Sequence, residues 1–319
     1  MSFIDQLTTA ITSGECLVWR DGDVTLPEPV CIDVPHHAIG SGLDMQGARL
    51  ICGFGDPEQD MLKIRLPQNG IQFRGFQFRN IRLSGEQACR NGLVLENPYV
   101  SSAMYAGTIS NVYTEACLGS GLQLAGCVFE TMVSNCGALD CGNAGVEVRN
   151  VGQGINSDIR IIGGTFSQCG YGISATADVT YREPPIRIAH AYIGRNKGNG
   201  ISALGGLDLA FDVTLENNCA EAATEGSIHL GEDMAIYARN FSRLSDCKAV
   251  GNSSTQLYLL AQGNGAASLT RSWVDMPNAP NCKTVLAKGP IDVTLTPPLT
   301  IEDVDTSGHD CTVRIVVAQ

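Results

Sequence analysis

Asn91-Gly92-Leu93-Val94-Leu95, Ser120-Gly121-Leu122-Gln123-Leu124 and Ala144-Gly145-Val146-Glu147-Val148 repeat one phrase: a glycine, an apolar residue, any residue, an apolar residue. The phrase also occurs at Gly70, Gly172 and Gly200, with one extra residue at Gly226, and without its glycine at Thr255–Leu259. Subtracting successive glycine positions gives steps of 22, 29, 24, 27, 28 and 26 residues. A period of roughly 20–30 residues made of strand and turn is the mark of a solenoid.

A second apolar segment precedes most copies of the phrase, as in Cys127–Val133, Asp158–Phe166 and Ile186–Ile193. Apolar residues alternate with polar ones in these segments, which is the strand signal. Asn135-Cys136, Gln168-Cys169 and Arg195-Asn196 close them with turn-forming residues. Leucine-rich repeats need a leucine and asparagine pattern that is missing, and a propeller blade needs about 40 residues or more. The reading is therefore all-β: a right-handed parallel β-helix with a short N-terminal capping helix. On this rung pattern the chain resembles the pectate-lyase-like β-helix superfamily over about residues 24–275, and within it the phage spike and tailspike members.

Ser2 to Ile11 reads as the capping helix, with Phe3, Ile4, Leu7 and Ile11 on one face and Gly14 as its stop. A solenoid needs such a lid over its exposed end. The predicted division is a cap over 1–23, a β-helix over 24–275 with a first full rung near 42–51, and a β cap or oligomer contact over 276–319.

Of the 319 residues 44% are hydrophobic, enough for a continuous core, but only 6% are aromatic, so that core is mainly aliphatic. The net charge of −12 argues against nucleic acid and anionic membrane surfaces as partners. The 13 cysteines show no zinc spacing, and no metal or cofactor is expected. Cys117, Cys136, Cys169 and Cys247 fall at similar turn positions and are expected to stack as buried thiols. Such usage, with no apolar leader at the N-terminus, predicts folding in a reducing cytosol.

Within the phrase the middle residue points outward, giving a column Gln72, Val94, Gln123, Glu147, Ser174, Ser202, His229 and Tyr258. Glu96, Arg149 and Thr176 belong to the next outward column. The loop after Gln123 is very short and those on either side are long, which predicts a notch with Gln123 and Glu147 near its floor and Arg149 beside them. Tyr99, Tyr105 and Tyr181 are candidate sugar-stacking walls. On a second face, with Cys136, Cys169, Asn196 and Asn218 as turn markers, Glu130, Gly163, His190 and Asp212 align, and His190 beside Asp212 is a candidate acid–base pair. Arg182-Glu183-Pro184-Pro185-Ile186-Arg187 matches the RxPxxR pattern of pectate lyases, and this resemblance implies Arg182 as the proton-abstracting base. The companion pectate-lyase pattern, a calcium-binding carboxylate cluster and the polygalacturonase signatures are missing.

Two readings stay open. One is a homotrimeric virion spike or fibre that binds a bacterial surface polysaccharide, with or without cleaving it. The other is a lyase, epimerase or glycosidase acting on an acidic glycan, with Arg182, Glu147, Asp212 and His190 as candidate catalytic groups. The first places the protein on a virion, the second outside the cell.

Overall fold

A computed structural model describes residues 1–151, 156–176, 186–203, 207–216 and 218, and beyond these the backbone of strands lying between Met234 and Ile315. Every paired strand is parallel to its neighbours, and successive partners lie one turn of chain apart, so the chain is the expected right-handed parallel β-helix. The glycine phrases form one long face: Leu93–Asn97, Leu122–Gly126, Ala144–Arg149 and Tyr171–Thr176 are consecutive members of an 11-stranded sheet. Leu93, Leu122, Val146 and Ile173 stack inward, as do Leu95, Leu124, Val148 and Ala175, and all are buried.

The helix runs from Phe3 to Ser13. The Asp5 backbone N–H donates to the Ser2 hydroxyl, and the Ser2 N–H donates to the Asp5 carboxylate, which closes a capping box. Gly14 ends the helix at φ 84°, in the left-handed region where only glycine is comfortable. Phe3, Leu7, Ala10 and Ile11 are buried and cover the first rung, while Ile4 is only partly buried. That rung begins earlier than the expected 42–51. Cys16–Val18 already pairs with Gly42–Asp44, and Val30–Asp33 pairs with Leu62–Arg65. At the other end, Val285–Lys288 and Val304–Asp305 extend the 11-stranded sheet, and Ile291–Leu295 and Thr312–Ile315 extend the other large sheet.

Three corners of the rung turn through residues with positive φ. One column holds Asn80, Asn111, Asn135, Gly163, His190 and Asp212, with φ between 49° and 71°. Asparagine tolerates this conformation better than other side chains. His190 and Asp212 do lie one rung apart, but Glu130 does not join them. The register sets Asn135 opposite Gly163, while Glu130 follows Phe129 at the preceding corner, beside Asp158. The misalignment came from taking Cys136 as the counterpart of Cys169.

The true counterpart is Cys141. Backbone bonds from Leu118, Gly142, Gly170 and Lys197 to the carbonyls of Cys89, Cys117, Cys141 and Cys169 stack these cysteines one rung apart. Cys52 extends the row through its contact with Cys89. The row then changes chemistry. The Cys169 N–H donates to the Asn196 side-chain carbonyl at 3.0 Å, and the Asn196 amide donates to that of Asn218 at 2.8 Å. Cys136 is buried elsewhere, and Cys247 lies outside the described residues.

Burial pushes the Cys136 thiol up to about 11, and the Cys52 thiol likewise to about 11. Only the thiolate is nucleophilic. Access rather than titration separates the sites, because partial burial pushes Cys31 up as well while thiol hydrogen bonds hold Cys89 and Cys141 down. We expect peptide mapping after alkylation of the native protein to find exposed Cys31 modified and the seven buried described cysteines protected until denaturant is added. Rapid modification of Cys117 or Cys141 in the native protein would contradict the ladder.

Candidate functional site

Gln123 and Glu147 occupy the middle positions of adjacent strands and are direct partners in the register. Their neighbours Leu122, Leu124, Val146 and Val148 anchor both strands in the core, so the backbone fixes where the two polar side chains leave the face. They line a cavity of about 310 Å³ together with Arg90, Glu96, Asn143 and Arg149. The loop between Gly126 and the next strand, Val128–Phe129, is the single residue Cys127.

Glu147 is only 7% exposed. A buried carboxylate needs partners, and it has three. Ser120 Oγ donates to Oε2 at 2.7 Å, Gln123 Nε2 at 2.8 Å and Asn143 Nδ2 at 3.2 Å. All three bonds go to the same oxygen. Among the described residues none donates to Oε1, which keeps its acceptor capacity.

Behind Glu147 the network continues into the protein. The Ser120 N–H donates to Asn91 Oδ1 at 2.6 Å, and Asn91 Nδ2 donates to Asp60 Oδ1 at 2.8 Å. Asp60 is 4% exposed and takes a two-pronged bond from Arg90, at 2.9 Å on each oxygen, plus an ion pair with Lys63 at 2.9 Å. Burial pushes the Asp60 carboxyl up, but the hydrogen bonds and charges of Arg90 and Lys63 outweigh it and hold the group below the usual carboxylate range. Lys63 also reaches Glu96 at 3.1 Å, and Arg65 grips Asp33 at 2.8 and 3.0 Å.

The structure thus brings Gln123, Glu147 and Arg149 into one cavity and keeps other candidates apart. Tyr99 and Tyr105 do not line it. Tyr105 lies on the four-stranded sheet, where its hydroxyl bonds Gln72 at 3.3 Å and its ring sits 5.4 Å from the Arg74 guanidinium carbon. Gln72 is on that sheet too, so its place beside Val94 is taken by Lys63. Tyr237 stands in register with Ser202, and His229 lies outside the described residues. So do Arg182 and Tyr181. His190 Nδ1 and Asp212 Oδ2 are 2.9 Å apart, with the imidazole edge-on to Phe211, but both side chains are more than half exposed and neither lines a described cavity. No three metal-ligating side chains gather among the described residues.

Reading the sequence for outward positions missed Asp60, Asn91, Ser120 and Asn143. A signal was available: Asn91 and Ser120 immediately precede the glycine of the phrase, and Asn143 stands two before it. A polar residue recurring at a rung entrance is positioned to bond the rungs on either side.

Fold and cavity together define a right-handed parallel β-helix with a polar notch on its 11-stranded face. Neither a family model nor a curated protein sequence matches the chain. Solved structures do. ORF18 of Geobacillus virus E2 aligns with a TM-score of 0.56 at 12% identity, over 98% of this chain and 57% of that one. The pectate lyase Pel9A aligns at 0.54 and 13%, over 97% and 74%. The Streptococcus pneumoniae surface protein and adhesin PfbA aligns at 0.57 and 9%, over 98% and 90%. The present chain spans little more than half of the viral protein, and at these identities the likeness is one of fold.

Proposed function

We propose that the notch over Gln123 and Glu147 binds a polysaccharide, and that the protein is a spike-type β-helix directed at a bacterial surface glycan. The observation that carries this reading is the Glu147 carboxylate. One oxygen is held by three donors, the other accepts from no described residue, and the side chain lines a polar cavity, an arrangement suited to accepting hydrogen bonds from sugar hydroxyls. Rungs repeat about every 4.8 Å, close to the length of one sugar unit, so a linear glycan lying along the face meets equivalent positions in succession. The viral and surface-protein neighbours share this fold, which supports the reading by analogy.

Binding is favoured over cleavage by the state of the two carboxylates in the cavity. Glu147 accepts from Ser120, Gln123 and Asn143, and Glu96 is paired with Lys63. In those bonds both act as acceptors, whereas a glycosidase needs in addition a carboxyl group that delivers a proton to the leaving oxygen. The lyase reading rests on the Arg182 motif and on the neighbour Pel9A. An Arg182→Ala variant with unchanged product formation would remove it.

The test is an array of purified capsular and O-antigen polysaccharides. Wild type is expected to bind at least one, and Glu147→Gln to bind it at least about tenfold more weakly, equivalent to about 1.4 kcal/mol. Retention on no polysaccharide, or equal binding by Glu147→Gln, would overturn the assignment of the notch. A homotrimer is expected in light scattering, near three times 33.8 kDa. A monomer would count against the spike reading while leaving the notch in place.

A further inference from the structure

We propose a second saccharide site on a different face of the β-helix, centred on Tyr113 and Arg82 and selective for an acidic glycan. The register sets Arg49, Arg82, Tyr113, Gly137, Thr165 and Tyr192 in one outward column. A parallel column two residues on carries Ser84, Glu115, Leu139 and Ser167. Between them lies a cavity of about 440 Å³, and it shares no lining residue with the notch.

Two tyrosines give this face its shape. Tyr113 is 50% exposed, yet its ring does not stand free. It leans over the adjacent rung at Gly137, where an added Cβ would fall 2.7 Å from its Cδ1. Tyr192 folds along its own strand over Gly194 in the same manner, where a Cβ would fall 2.6 Å from the phenol oxygen, and its hydroxyl bonds Glu216 at 3.1 Å. Glycine inside a strand weakens it and marks a close approach. Here both glycines make room for an aromatic ring laid along the surface. The two tyrosines stand three rungs apart along the backbone, about 14 Å, with Thr165 on the floor between the Tyr113 ring and Tyr192. Rings laid along a polar face offer apolar surface to the C–H side of a pyranose.

Charge decides the kind of sugar. Arg49 is committed, with Nε and Nη2 both at 2.9 Å from Asp23 Oδ2. Arg82, one rung on, is exposed and makes no side-chain hydrogen bond or ion pair among the described residues, feeling Asp23 only as a more distant charge. In a chain of net charge −12, a guanidinium bonded to no carboxylate, in register with Tyr113 and lining the cleft, is placed to take a carboxylate from the ligand. The Glu115 side chain and the Thr165 and Ser167 hydroxyls line the rest of the cleft and supply hydrogen bonds to neutral hydroxyls.

This site stands apart from the notch, and either can fail without the other. The experiment is fluorescence anisotropy of a labelled oligogalacturonate on the full chain, at low and high salt. Wild type is expected to bind it and to bind less at high salt, and a labelled dextran oligomer of equal length is expected not to bind. Tyr113→Ala and Arg82→Ala should each weaken binding by about tenfold or more, with Arg82→Ala also flattening the salt dependence. Tyr113→Phe and Glu147→Gln should leave binding unchanged. The Tyr113 and Arg82 side chains are exposed, so their alanine variants test contact rather than folding. No binding by wild type, wild-type affinity in Tyr113→Ala and Arg82→Ala, or loss in Glu147→Gln alone would each overturn the proposal. A change in molar mass on Tyr113→Ala with oligogalacturonate binding intact would also overturn it, by showing that this face is covered by a second copy.

Discussion

Gly107→Ala is expected to cost about 3 kcal/mol or more of stability, although it adds a single methyl group. Gly107 does not have positive φ, so its backbone would accept alanine readily. The obstacle is Phe76. Its ring is fully buried, stacked at 5.2 Å on Phe73 and tilted at 6.3 Å to Phe78, and it fills the inward slot that a side chain at 107 would need. The new methyl group would overlap the ring, and neither the Phe cluster nor the bond from the Thr108 N–H to the Phe76 carbonyl at 2.8 Å leaves it room to retreat. Phe76→Ala alone is expected to cost about 3–5 kcal/mol through the cavity it leaves. The informative variant is the double one. With the ring gone, Gly107→Ala fills part of the void and removes chain entropy from the unfolded state, worth about 0.4–1 kcal/mol. Its effect should therefore fall to zero or change sign, a strong coupling between adjacent residues. Denaturant midpoints of the four proteins measure this, and additive losses would show that Phe76 is not the cause.

Asp60→Asn is the second large effect, expected at about 2–3 kcal/mol. Removing one member of a buried ion pair strands the others, typically at about 3–5 kcal/mol. The figure here is smaller because the Arg90 side chain is 44% exposed and can turn to water. The effect should depend on pH with a definite sign. Asp60 titrates lower in the folded protein than in the unfolded chain, where a carboxyl group titrates near 3.9. Its contribution is thus complete above about pH 3.9 and is lost as pH falls through the lower folded value. Wild type and Asp60→Asn should differ most at neutral pH and converge in strong acid. A constant gap across that range would mean that the carboxylate charge is not what stabilises the network. Because Asn91 and Ser120 link Asp60 to Glu147, the same variant should weaken glycan binding at the notch without touching it.

The solenoid was legible because a β-helix writes its rungs into the chain. Leu93, Leu122 and Val146 follow a glycine in identical phrases and stack in identical positions, so Gln123, Glu147 and Arg149 could be placed on one surface before any coordinates. Legibility failed where the phrase and the rung parted. Gly70-Ile71-Gln72-Phe73 has the right composition but sits further round its rung, on the four-stranded sheet, while Leu62–Arg65 occupies the long face without a glycine. Cys136 and Cys141 were exchanged for a similar reason: both follow a short strand, and only the register separates them. The support behind Glu147 was hidden more deeply. Asp60, Asn91 and Ser120 are about thirty residues apart in succession, and their bonds exist only because unequal loops bring those rungs into alignment.

The in-register ladder gives this chain an unusual way to vary. Residues 123–146 make up one full period of 24, because Gln123 and Glu147 are register partners. Excising them would join Leu122 directly to Glu147, set Cys117 against Cys169, and close the core with inward residues that already match. Rungs in such a stack contact only their neighbours, so the cut would be felt locally. The notch would lose Gln123 and the cleft would lose Gly137, while every other column kept its order. Duplicating the period would lengthen both by one sugar-sized step. A lineage carrying this fold can therefore revise what it grips by gaining or losing whole turns, a route closed to globular proteins whose cores admit no such splice.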